Sequence, residues 1–440
     1  MHIMNKLGMI TAGAVIMGAA TAAHFTKSKD LNPGDLQSAI DSNDPPKYAP
    51  SVLREPVPAS VADVDRHYQD AARTAWQFLD RGYVPKTGLI MAQSDWPYPT
   101  VWDIASTLAA YYSAHGLGFI SNDEYVKRTG LALQTLKAAK LYDNVAYGRN
   151  YDARSGELVG AGHEAAGNGV GFSAIDLGRL LVWLKIVQQS SPELAGLAQD
   201  VAKRINASRT VRGGYLYGET LPAKGKLMVY QEGRIGYEQY SATGFQLWGF
   251  PADRAADLAT NVLPTTVKNI PVFADKRKLD RLTSEPIILY GMEVGLTGKM
   301  RELAWQTLSL QAQRYKETGQ ITAVSEDALA VPPHYFYYYC VYCSGKAFVI
   351  NVHEPGKEMN EPRWISTKAV FAWHALLPNQ YTWKTVQAVK AAHDPAKGWA
   401  SGVMEKTGKS TGTLALNTSA VILEAALYRK TGRAFLQSRS

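Results

Sequence analysis

The links between the predicted helices constrain the fold of this chain more than any single motif. From about residue 61 onward, hydrophobic residues recur with helical spacing, and alternating strand-like patterns are scarce. Short links such as "QSSPE" and "LPNQYT" alternate with long, glycine-rich links such as "GYVPKTGLIMAQSDWPYPTV". A short link makes the two helices it joins antiparallel neighbours. The alternation therefore predicts helical hairpins connected in series, with all the long links at one end.

The spacing predicts twelve helices, at residues 61–81, 102–115, 122–140, 172–189, 191–206, 236–248, 252–265, 285–295, 299–318, 364–377, 382–393 and 417–430. Six hairpins in series can close into an (α/α)6 toroid, an all-α fold whose inner ring consists of the even-numbered helices. The long links would then lie over the N-termini of the inner helices. Two of these links contain candidates for short β-hairpins, "KLMVYQEG" and "KAFVINVHEP". Because binding sites tend to occupy loops on a rigid scaffold, we expect the function at this face.

The first sixty residues differ in composition from the rest of the chain. The apolar run "LGMITAGAVIMGAATAAHF" follows a weakly basic start. Residues 1–26 are therefore expected to be either a cleaved signal peptide or an N-terminal membrane anchor. Residues 27–60 are rich in Pro, Asp and Ser and are predicted to be a flexible linker, which leaves 61–440 as one toroid domain. Both alternatives predict a periplasmic or exported protein that contacts the membrane only through its N-terminal segment.

Charge and cysteine content exclude several classes of function. The net charge is +8, but no dense block of Lys and Arg is present, so we do not expect nucleic acid as a partner. The excess positive charge suits an anionic glycan or a membrane surface. Cys340 and Cys343 are too few to close a zinc site, and they are interpreted as either a local disulfide or two buried thiols. We find no dinucleotide-binding motif, P-loop or nucleophile elbow, and therefore expect no cofactor and no metal.

Each predicted inner helix begins with polar or charged residues, although an inner position favours apolar ones. The stretch "QEGRIGYEQY" at 231–240 contains Glu232 and Glu238, and the link before the tenth helix contains Glu326 and Asp327. Further candidates for substrate contact lie near the starts of these helices: Trp102, Asp103, Asp176, Arg179, Arg234, Tyr237, Tyr240, Glu285, Trp364, Lys368 and Asn417. In a toroid, all these helix starts would face one cleft.

Many of these residues also have a structural interpretation. Asp103 and Asp176 each follow a Thr or Ser by three residues, which is the spacing of a capping box, and acids in a first turn favour the helix dipole. Arg179 and Lys368 are also interpreted as ion-pair partners of the acids. The tryptophans fit a core as well as a cleft. Three histidines without metal-ligand spacing are interpreted as structural: His163, His334 and His374.

Paired carboxylates beside aromatic residues suit the cleavage of a glycosidic bond. One carboxylic acid protonates the leaving oxygen, while the other carboxylate activates water or attacks the sugar. We interpret Glu238 as the general acid. Glu326, Asp327 and Glu232, in that order, are the candidates for the second carboxylate.

Several characteristic sequence blocks are spread over the chain, among them "PTVWDIAS", "GFSAIDLGRLL", "QEGRIGYEQYSA" and "TAVSEDALAVPPHYFYY". From about residue 65 to 435, they resemble a bacterial family known as domain of unknown function 3131. That family is distantly similar to glucoamylase-like toroids of β-1,2-glucan breakdown and cyclic glucan synthesis, through "IDLGRL" and "GYEQY". The resemblance implies an (α/α)6 fold, carbohydrate processing and an acidic cleft that includes Glu238. Those toroids carry Gly-Asn where this chain has Gly178-Arg179, which implies a different or more anionic substrate, or a cleft that binds without cutting.

Three functions follow from this pattern and stay open at the level of sequence. The first is hydrolysis or transglycosylation of a bacterial polysaccharide by an exported protein. The second is a polysaccharide lyase for an acidic glycan, with Tyr237, Tyr240 or His334 as the base and Arg234 neutralising a uronate. The third is a non-catalytic glycan-binding or scaffold protein that works beside a machinery for glycan synthesis or export.

Overall fold

The computed structural model describes residues 44–436, except for residues 165–166, 223–224, 278–280, 328, 332–333, 344 and 353–357. The predicted signal peptide or anchor at 1–26 and the first part of the predicted linker lie outside these residues, as does the side chain of His334. Within the described ranges, no helix combines the length and the apolar character needed to cross a bilayer.

Helices of nine residues or more occupy most of the predicted positions. They are α1 (Val61–Arg81), α2 (Val101–Leu117), α3 (Asn122–Ala138), α4 (Ala174–Ser190), α5 (Pro192–Ala202), α6 (Tyr237–Gln246), α7 (Glu285–Glu293), α8 (Gly298–Thr318), α9 (Thr367–Leu376), α10 (Gln380–Ala388) and α11 (Leu416–Thr431). Shorter helical segments are Ser51–Leu53, Ala207–Thr210, Asp253–Ala256, Leu258–Asn261 and Lys390–Ala392.

Six helices, α2, α4, α6, α7, α9 and α11, form an inner ring. Each of them packs against the next one along the chain, and α11 packs against α2, so the ring is closed. Helices α1, α3, α5, α8 and α10 pack on its outside, and the segment Asp253–Ala256 covers α6. This is the (α/α)6 arrangement of hairpins, with the N-termini of the inner helices and the long links at one end.

The long links carry short antiparallel strands, so the predicted all-α class is confirmed only for the ring, and strands are more numerous than the two predicted hairpin segments. The strands are β1 (Gly171–Phe172), β2 (Val211–Arg212), β3 (Tyr215–Thr220), β4 (Met228–Gln231), β5 (Val262–Val267), β6 (Ile270–Asp275), β7 (Arg281–Leu282), β8 (Leu329–Val331), β9 (His334–Cys343), β10 (Lys346–Val352), β11 (Glu358–Met359), β12 (Trp364–Ser366), β13 (His393–Asp394), β14 (Gly398–Trp399) and β15 (Gly402–Met404). Two sheets have the orders β1-β3-β2, with β4 beside β3, and β11-β10-β9-β7, with β8 beside β9. The remaining strands pair as β5–β6, β12–β15 and β13–β14. Each predicted hairpin segment contains a strand, β4 or β10, which pairs with the strand before it.

The predicted helix at 252–265 was wrong in its second half. Two four-residue helical segments are followed there by β5, which pairs with β6 from Val262 to Val267. The strand contains Pro264 together with four β-branched residues, Val262, Thr265, Thr266 and Val267. Proline disrupts a helix interior, while Val and Thr fit the pleated backbone of a strand.

Helices α4 and α6 approach each other through two glycines. A Cβ atom on Gly178 would collide with the backbone of Ser241, and one on Gly244 would collide with the carbonyl oxygen of Gly178. A side chain at either position would therefore push the two helices apart. This contact fixes the first turns of α4, which carry Asp176 and Arg179, against α6.

The last part of the predicted linker is folded. Leu53 is only 2% exposed, and the segment Ser51–Leu53 packs against α8 and α10. The backbone N–H of Gln380 donates to the carbonyl oxygen of Glu55 at 2.8 Å. Residues 44–60 therefore belong to the toroid, because Leu53 finds apolar surface that the composition of the segment did not reveal.

Cys340 and Cys343 lie in β9 and are both buried. The structure holds them as thiols rather than as a disulfide. Of the two predicted alternatives, a local disulfide and two buried thiols, the structure therefore shows the buried thiols.

Candidate active site

A buried carboxylate, Glu285 at the start of α7, joins side chains from four other inner helices. Its Oε1 accepts hydrogen bonds from Trp102 Nε1 at 3.1 Å and from Asn417 Nδ2 at 2.7 Å. Its Oε2 accepts one from the Tyr237 hydroxyl at 3.1 Å and lies 2.9 Å from Lys368 Nζ. Burial acts to raise the pKa of Glu285, but Lys368 and the other donors lower it overall. Glu285 is therefore an ionised acceptor that ties the ends of the inner helices together.

The link before α9 adds Asp327 and Glu326 to this network. Lys368 Nζ lies 3.5 Å from Asp327 Oδ1 and donates to the carbonyl oxygen of Glu326 at 2.6 Å, while Trp364 Nε1 donates to Asp327 Oδ2 at 3.2 Å. Asp327 has a side chain only 1% exposed, and burial raises its pKa. The side chain of Glu326 is 22% exposed and forms an ion pair with Arg234 at 3.3 Å. Of these two carboxylates, only Glu326 faces the solvent side.

A second buried group, which we call the sealed cluster, consists of Arg179, Glu293, Glu424 and Tyr240. The Arg179 guanidinium lies 3.4 Å from a Glu424 oxygen and 3.8 Å from a Glu293 oxygen, and the Tyr240 hydroxyl donates to Glu293. Both glutamates and the arginine are fully buried. Burial raises the pKa of Glu293, and burial together with the charge of Glu293 raises that of Glu424. Arg179 therefore has the predicted ion-pair role rather than a place where substrate could reach it.

Glu238, predicted as the general acid, lies in a separate environment. It is 0% exposed, and Arg277 binds both of its oxygens, with Nη1 to Oε1 at 3.0 Å and Nη2 to Oε2 at 2.5 Å. Gln231 donates a further hydrogen bond to Oε1 at 3.3 Å, and Arg277 also pairs with Asp275. Burial raises the pKa of Glu238, while Arg277 opposes the shift. A carboxylate enclosed in this way cannot reach a leaving oxygen, so the structure does not support the predicted role of Glu238.

Asp103 and Asp176 lie partly exposed in the first turns of α2 and α4. Thr100 and Asp103 form a capping box, in which Asp103 Oδ2 accepts from the Thr100 N–H at 3.0 Å and from its hydroxyl at 2.8 Å. The Ser173 hydroxyl accepts from the Asp176 N–H at 3.2 Å and approaches Asp176 Oδ1 at 3.3 Å. The structural prediction of capping is therefore met, and it leaves both carboxylates at the long-link face.

Glu232 reaches from the link before α6 to the start of α4. Its Oε2 accepts hydrogen bonds from the backbone N–H groups of Ala174 and Ile175, the latter at 3.2 Å. This arrangement uses the free N–H groups of a helix N-terminus. It brings Glu232 beside Asp176, in the same first turn of α4.

The pKa of Asp176 is raised to about 7. Burial is the largest cause, the charges of Glu232 and Asp103 add to the shift, and Arg149 and Arg234 oppose it. Since Arg234 is also paired with Glu326, these acids face one region, which we call the acidic mouth and define as Asp103, Asp176, Glu232 and Glu326. A carboxylic acid that keeps its proton near neutral pH beside other carboxylates is suited to acid–base chemistry.

No group of three or more His, Cys, Asp or Glu residues in the described part of the chain is arranged to hold a metal ion.

The sequence model of the family described as "Protein of unknown function (DUF3131)" matches residues 70–432 of this chain. The chain belongs to the DUF3131 family. A search of curated proteins finds no match.

Solved structures share the fold of this DUF3131 protein at low identity. A glucoamylase-like protein from Bacteroides caccae is 14% identical, with a TM-score of 0.60 over 84% of this chain and 94% of its own. The endo-β-1,2-glucanase from Chitinophaga pinensis, solved with sophorotriose and glucose, is 11% identical, with a TM-score of 0.60 over 86% and 94%. The endo-β-1,2-glucanase from Talaromyces funiculosus, solved as a mutant with β-1,2-glucan, is 11% identical, with a TM-score of 0.56 over 84% and 86%. At such identities, the likeness shows the fold alone.

Sequence reasoning about the DUF3131 chain missed the residues that decide which acids are available. Arg277, which encloses Glu238, lies in a link 39 residues further along the chain. Arg149 opposes the pKa shift of Asp176 and donates to Thr220 Oγ1 at 2.7 Å. Glu424 lies two turns inside α11, where no motif marks it. The isolated arginines in the long links "YGRNYD" and "FADKRK" were the signal that could have indicated partners for the acids.

Proposed function

We propose that this DUF3131 protein is a glycoside hydrolase or transglycosylase that acts on a bacterial polysaccharide at the acidic mouth. Asp176 is the proposed proton donor. The observation that carries the proposal is its carboxyl group, which is partly exposed at the mouth, has a pKa of about 7 and lies beside other carboxylates. An acid with that pKa is protonated in a useful fraction of molecules near neutral pH, as protonation of a leaving oxygen requires.

Glu326 is the proposed second carboxylate. It is partly exposed, unlike Asp327, and it comes from the link before α9, whereas Asp176 comes from α4. Arg234 pairs with Glu326 and also acts on the pKa of Asp176, so it faces both acids. We expect Glu326 to activate water or attack the sugar, with Arg234 holding its orientation.

The lyase alternative has less support. The hydroxyl groups of Tyr237 and Tyr240 both donate to buried carboxylates, and burial raises the pKa of each tyrosine well above its usual value. A tyrosine that acts as a base needs a pKa shifted in the opposite direction. The side chain of the third candidate base, His334, lies outside the described residues, and we place hydrolysis or transglycosylation first. Binding without cleavage is retained as an outcome of the experiment below.

The proposed location of the protein and its proposed partners rest on the sequence. The apolar segment at 1–26 supports export to the periplasm, either as a cleaved signal or as an anchor. Export would place the protein beside the machinery for glycan synthesis or export, as the third hypothesis supposes. Fractionation of cells that express the full chain tests the location, and a cytoplasmic protein would contradict it.

The central experiment compares two substitutions in the full-length protein. Product release from linear β-1,2-glucan and from a panel of neutral and acidic bacterial glycans is followed by mass spectrometry. Asp176→Asn is expected to lower the rate by about a hundredfold to ten-thousandfold, because a general acid contributes in that range. Asparagine keeps the size of the side chain, so we expect the variant to fold normally. Its melting temperature is the control that checks this.

Glu238→Gln is the matched control, because the sequence favoured Glu238 and the geometry favours Asp176. It is expected to retain activity. Normal turnover by Asp176→Asn, or loss of turnover by a folded Glu238→Gln protein, would contradict the assignment. Products with an unsaturated end would indicate a lyase, and glycan binding without any product would favour the non-catalytic function.

A further inference from the structure

Three partly exposed aromatic residues pack together in the long links that lead into α2 and α4. The rings of Tyr98 and His163 are stacked, with centroids 4.5 Å apart and an interplanar angle of 30°. Trp96 meets the same histidine edge-on at 4.5 Å and Tyr98 at 5.1 Å. We call Trp96, Tyr98 and His163 the aromatic platform. All three rings keep part of their surface accessible to solvent, unlike the fully buried aromatic residues of the inner ring.

Backbone interactions between two long links build the platform. The N–H of Ala153 donates to the carbonyl oxygen of Pro97 at 2.7 Å, and that of Tyr151 donates to Pro99 at 3.1 Å. His163 has a φ of +63°, and its N–H donates to Gly160 at 3.1 Å. A positive φ is uncommon for a residue other than glycine. The turn therefore holds the imidazole over Tyr98 despite the conformational cost of a positive φ.

The two links that carry the platform lead into the helix starts of the acidic mouth, and Thr100 pairs with Asn150 between them. Tyr98 lies two residues before Thr100, which caps α2 and binds the carboxylate of Asp103. The link that carries His163 leads directly into α4 and Asp176. A polysaccharide that extends from the acidic mouth across the start of α2 would therefore reach the platform.

A groove lies near the platform, at residues that directly follow Arg154 in the chain. The Arg154 guanidinium lies 5.7 Å from the centroid of Tyr98, and its Nη2 approaches the tyrosine hydroxyl at 3.4 Å. The next residues, 155–158, line a groove of about 610 Å³ together with Lys86 and Lys140. Mouth, platform and groove therefore follow one another over neighbouring residues of the two links.

We propose that the aromatic platform and this groove bind sugar units of a polysaccharide outside the acidic mouth, so that the protein acts within a polymer rather than on short oligosaccharides. This inference rests on the proposed function. The C–H face of a sugar ring packs on an accessible aromatic face, as other apolar surfaces do. Lysine, threonine and serine side chains in the groove supply hydrogen bonds to hydroxyl groups.

Binding to Asp176→Asn protein tests the inference without cleavage. Calorimetry compares linear β-1,2-glucan with sophorotriose, before and after the additional substitution Trp96→Ala. Removal of the indole is expected to weaken polymer binding by about tenfold, which corresponds to the loss of one stacking contact, and to weaken sophorotriose binding much less. Trp96→Phe is expected to restore most of the polymer affinity, since it keeps a ring at the site.

Trp248→Ala is the control, because Trp248 is also partly exposed but follows the C-terminus of α6, at the opposite end of the toroid. It is expected to leave polymer affinity unchanged. Unchanged polymer affinity in a folded Trp96→Ala protein, an equal loss for both ligands, or no polymer binding by the Asp176→Asn protein would overturn the inference. Failure of the proposed function looks different: the polymer binds in a Trp96-dependent way, yet the unmodified protein releases no product.

Discussion

Helix α4 carries two charged residues, one turn apart, in contrasting surroundings. Arg179 lies in the sealed cluster, fully buried against Glu293 and Glu424. Asp176 lies in the acidic mouth, partly exposed and beside Glu232. In the sealed cluster a cation lies against the acids, whereas at the mouth another acid increases the effect of burial. The difference teaches that the same residue types serve packing where they are closed off from solvent, and can serve chemistry where they stay partly exposed.

The largest expected effect concerns the sealed cluster. Arg179→Met is expected to lower the free energy of unfolding by about 3–5 kcal/mol, because it leaves buried carboxyl groups without their cation. Urea unfolding followed by circular dichroism measures the change. Arg66→Met is the control, since Arg66 is largely exposed and pairs with Asp63 at the surface, and it is expected to change little. Equal stability of the two variants would mean that the cluster contributes no net stabilisation.

Glu238 tests whether a buried acid outside the mouth has only a structural role. Glu238→Gln is expected to lower the free energy of unfolding by about 1.5–3 kcal/mol, because the hydrogen bonds from Arg277 lose their charged acceptor. Glycan cleavage is expected to persist. Unfolding and turnover are measured on the same preparation. A Glu238→Gln protein that is stable but inactive would mean that Glu238 takes part in catalysis, and would contradict its purely structural role.

Gly178 lies between the two regions on α4 and affects both. Gly178→Ala is expected to cost about 1–3 kcal/mol of stability, since the added methyl group collides with the backbone of Ser241. Thermal unfolding and the rate of cleavage are both expected to fall. Gly196→Ala in α5 is the control, because a Cβ atom there meets nothing within 4 Å and alanine favours a helix. Similar melting temperatures for both variants would contradict the close approach of α4 and α6.

The smallest expected effect is a shift in pH dependence. Activity is expected to fall as pH rises through about 7, because Asp176 then loses the proton that it must donate. Since the charge of Glu232 raises the pKa of Asp176, Glu232→Gln is expected to move this alkaline limb to lower pH by less than about one unit. The pH profile of kcat/KM measures the shift, with Glu238→Gln as the control that leaves the limb in place. An alkaline limb unaffected by Glu232→Gln would exclude the coupling.

The ring could be predicted from the sequence because link length is a local property. A short link determines the direction of the next helix. The alternation of short and long links therefore indicated which helices pair as hairpins. Caps such as Thr100 and Ser173 were visible for the same reason, since they bind residues three positions away. The strand at 262–267 was missed because its partner, β6, was not recognised as a strand.

The choice between Glu238 and Asp176 could not be made from the sequence. Both stand in the first turn of an inner helix, and each lies in a block that resembles the glucoamylase-like toroids, "IDLGRL" for Asp176 and "GYEQY" for Glu238. What separates them is the arginine from a distant link that encloses Glu238 and the glutamate from another link that faces Asp176. Such contacts depend on how long links fold over the ring, and no short-range pattern encodes them.

The closed ring also has a consequence for how the chain folds. Helix α11 completes the ring by packing against α2, and it contacts α1 as well, where Arg429 binds Asp65 across 364 residues of chain at 2.7 Å. Contacts between such distant parts of a chain form slowly, because a long loop must close first. A polypeptide still emerging from the ribosome without α11 has a gap beside α2, with apolar surface open to water. We therefore expect the toroid to reach its native state only after synthesis of the last helix, and to need protection from aggregation until then.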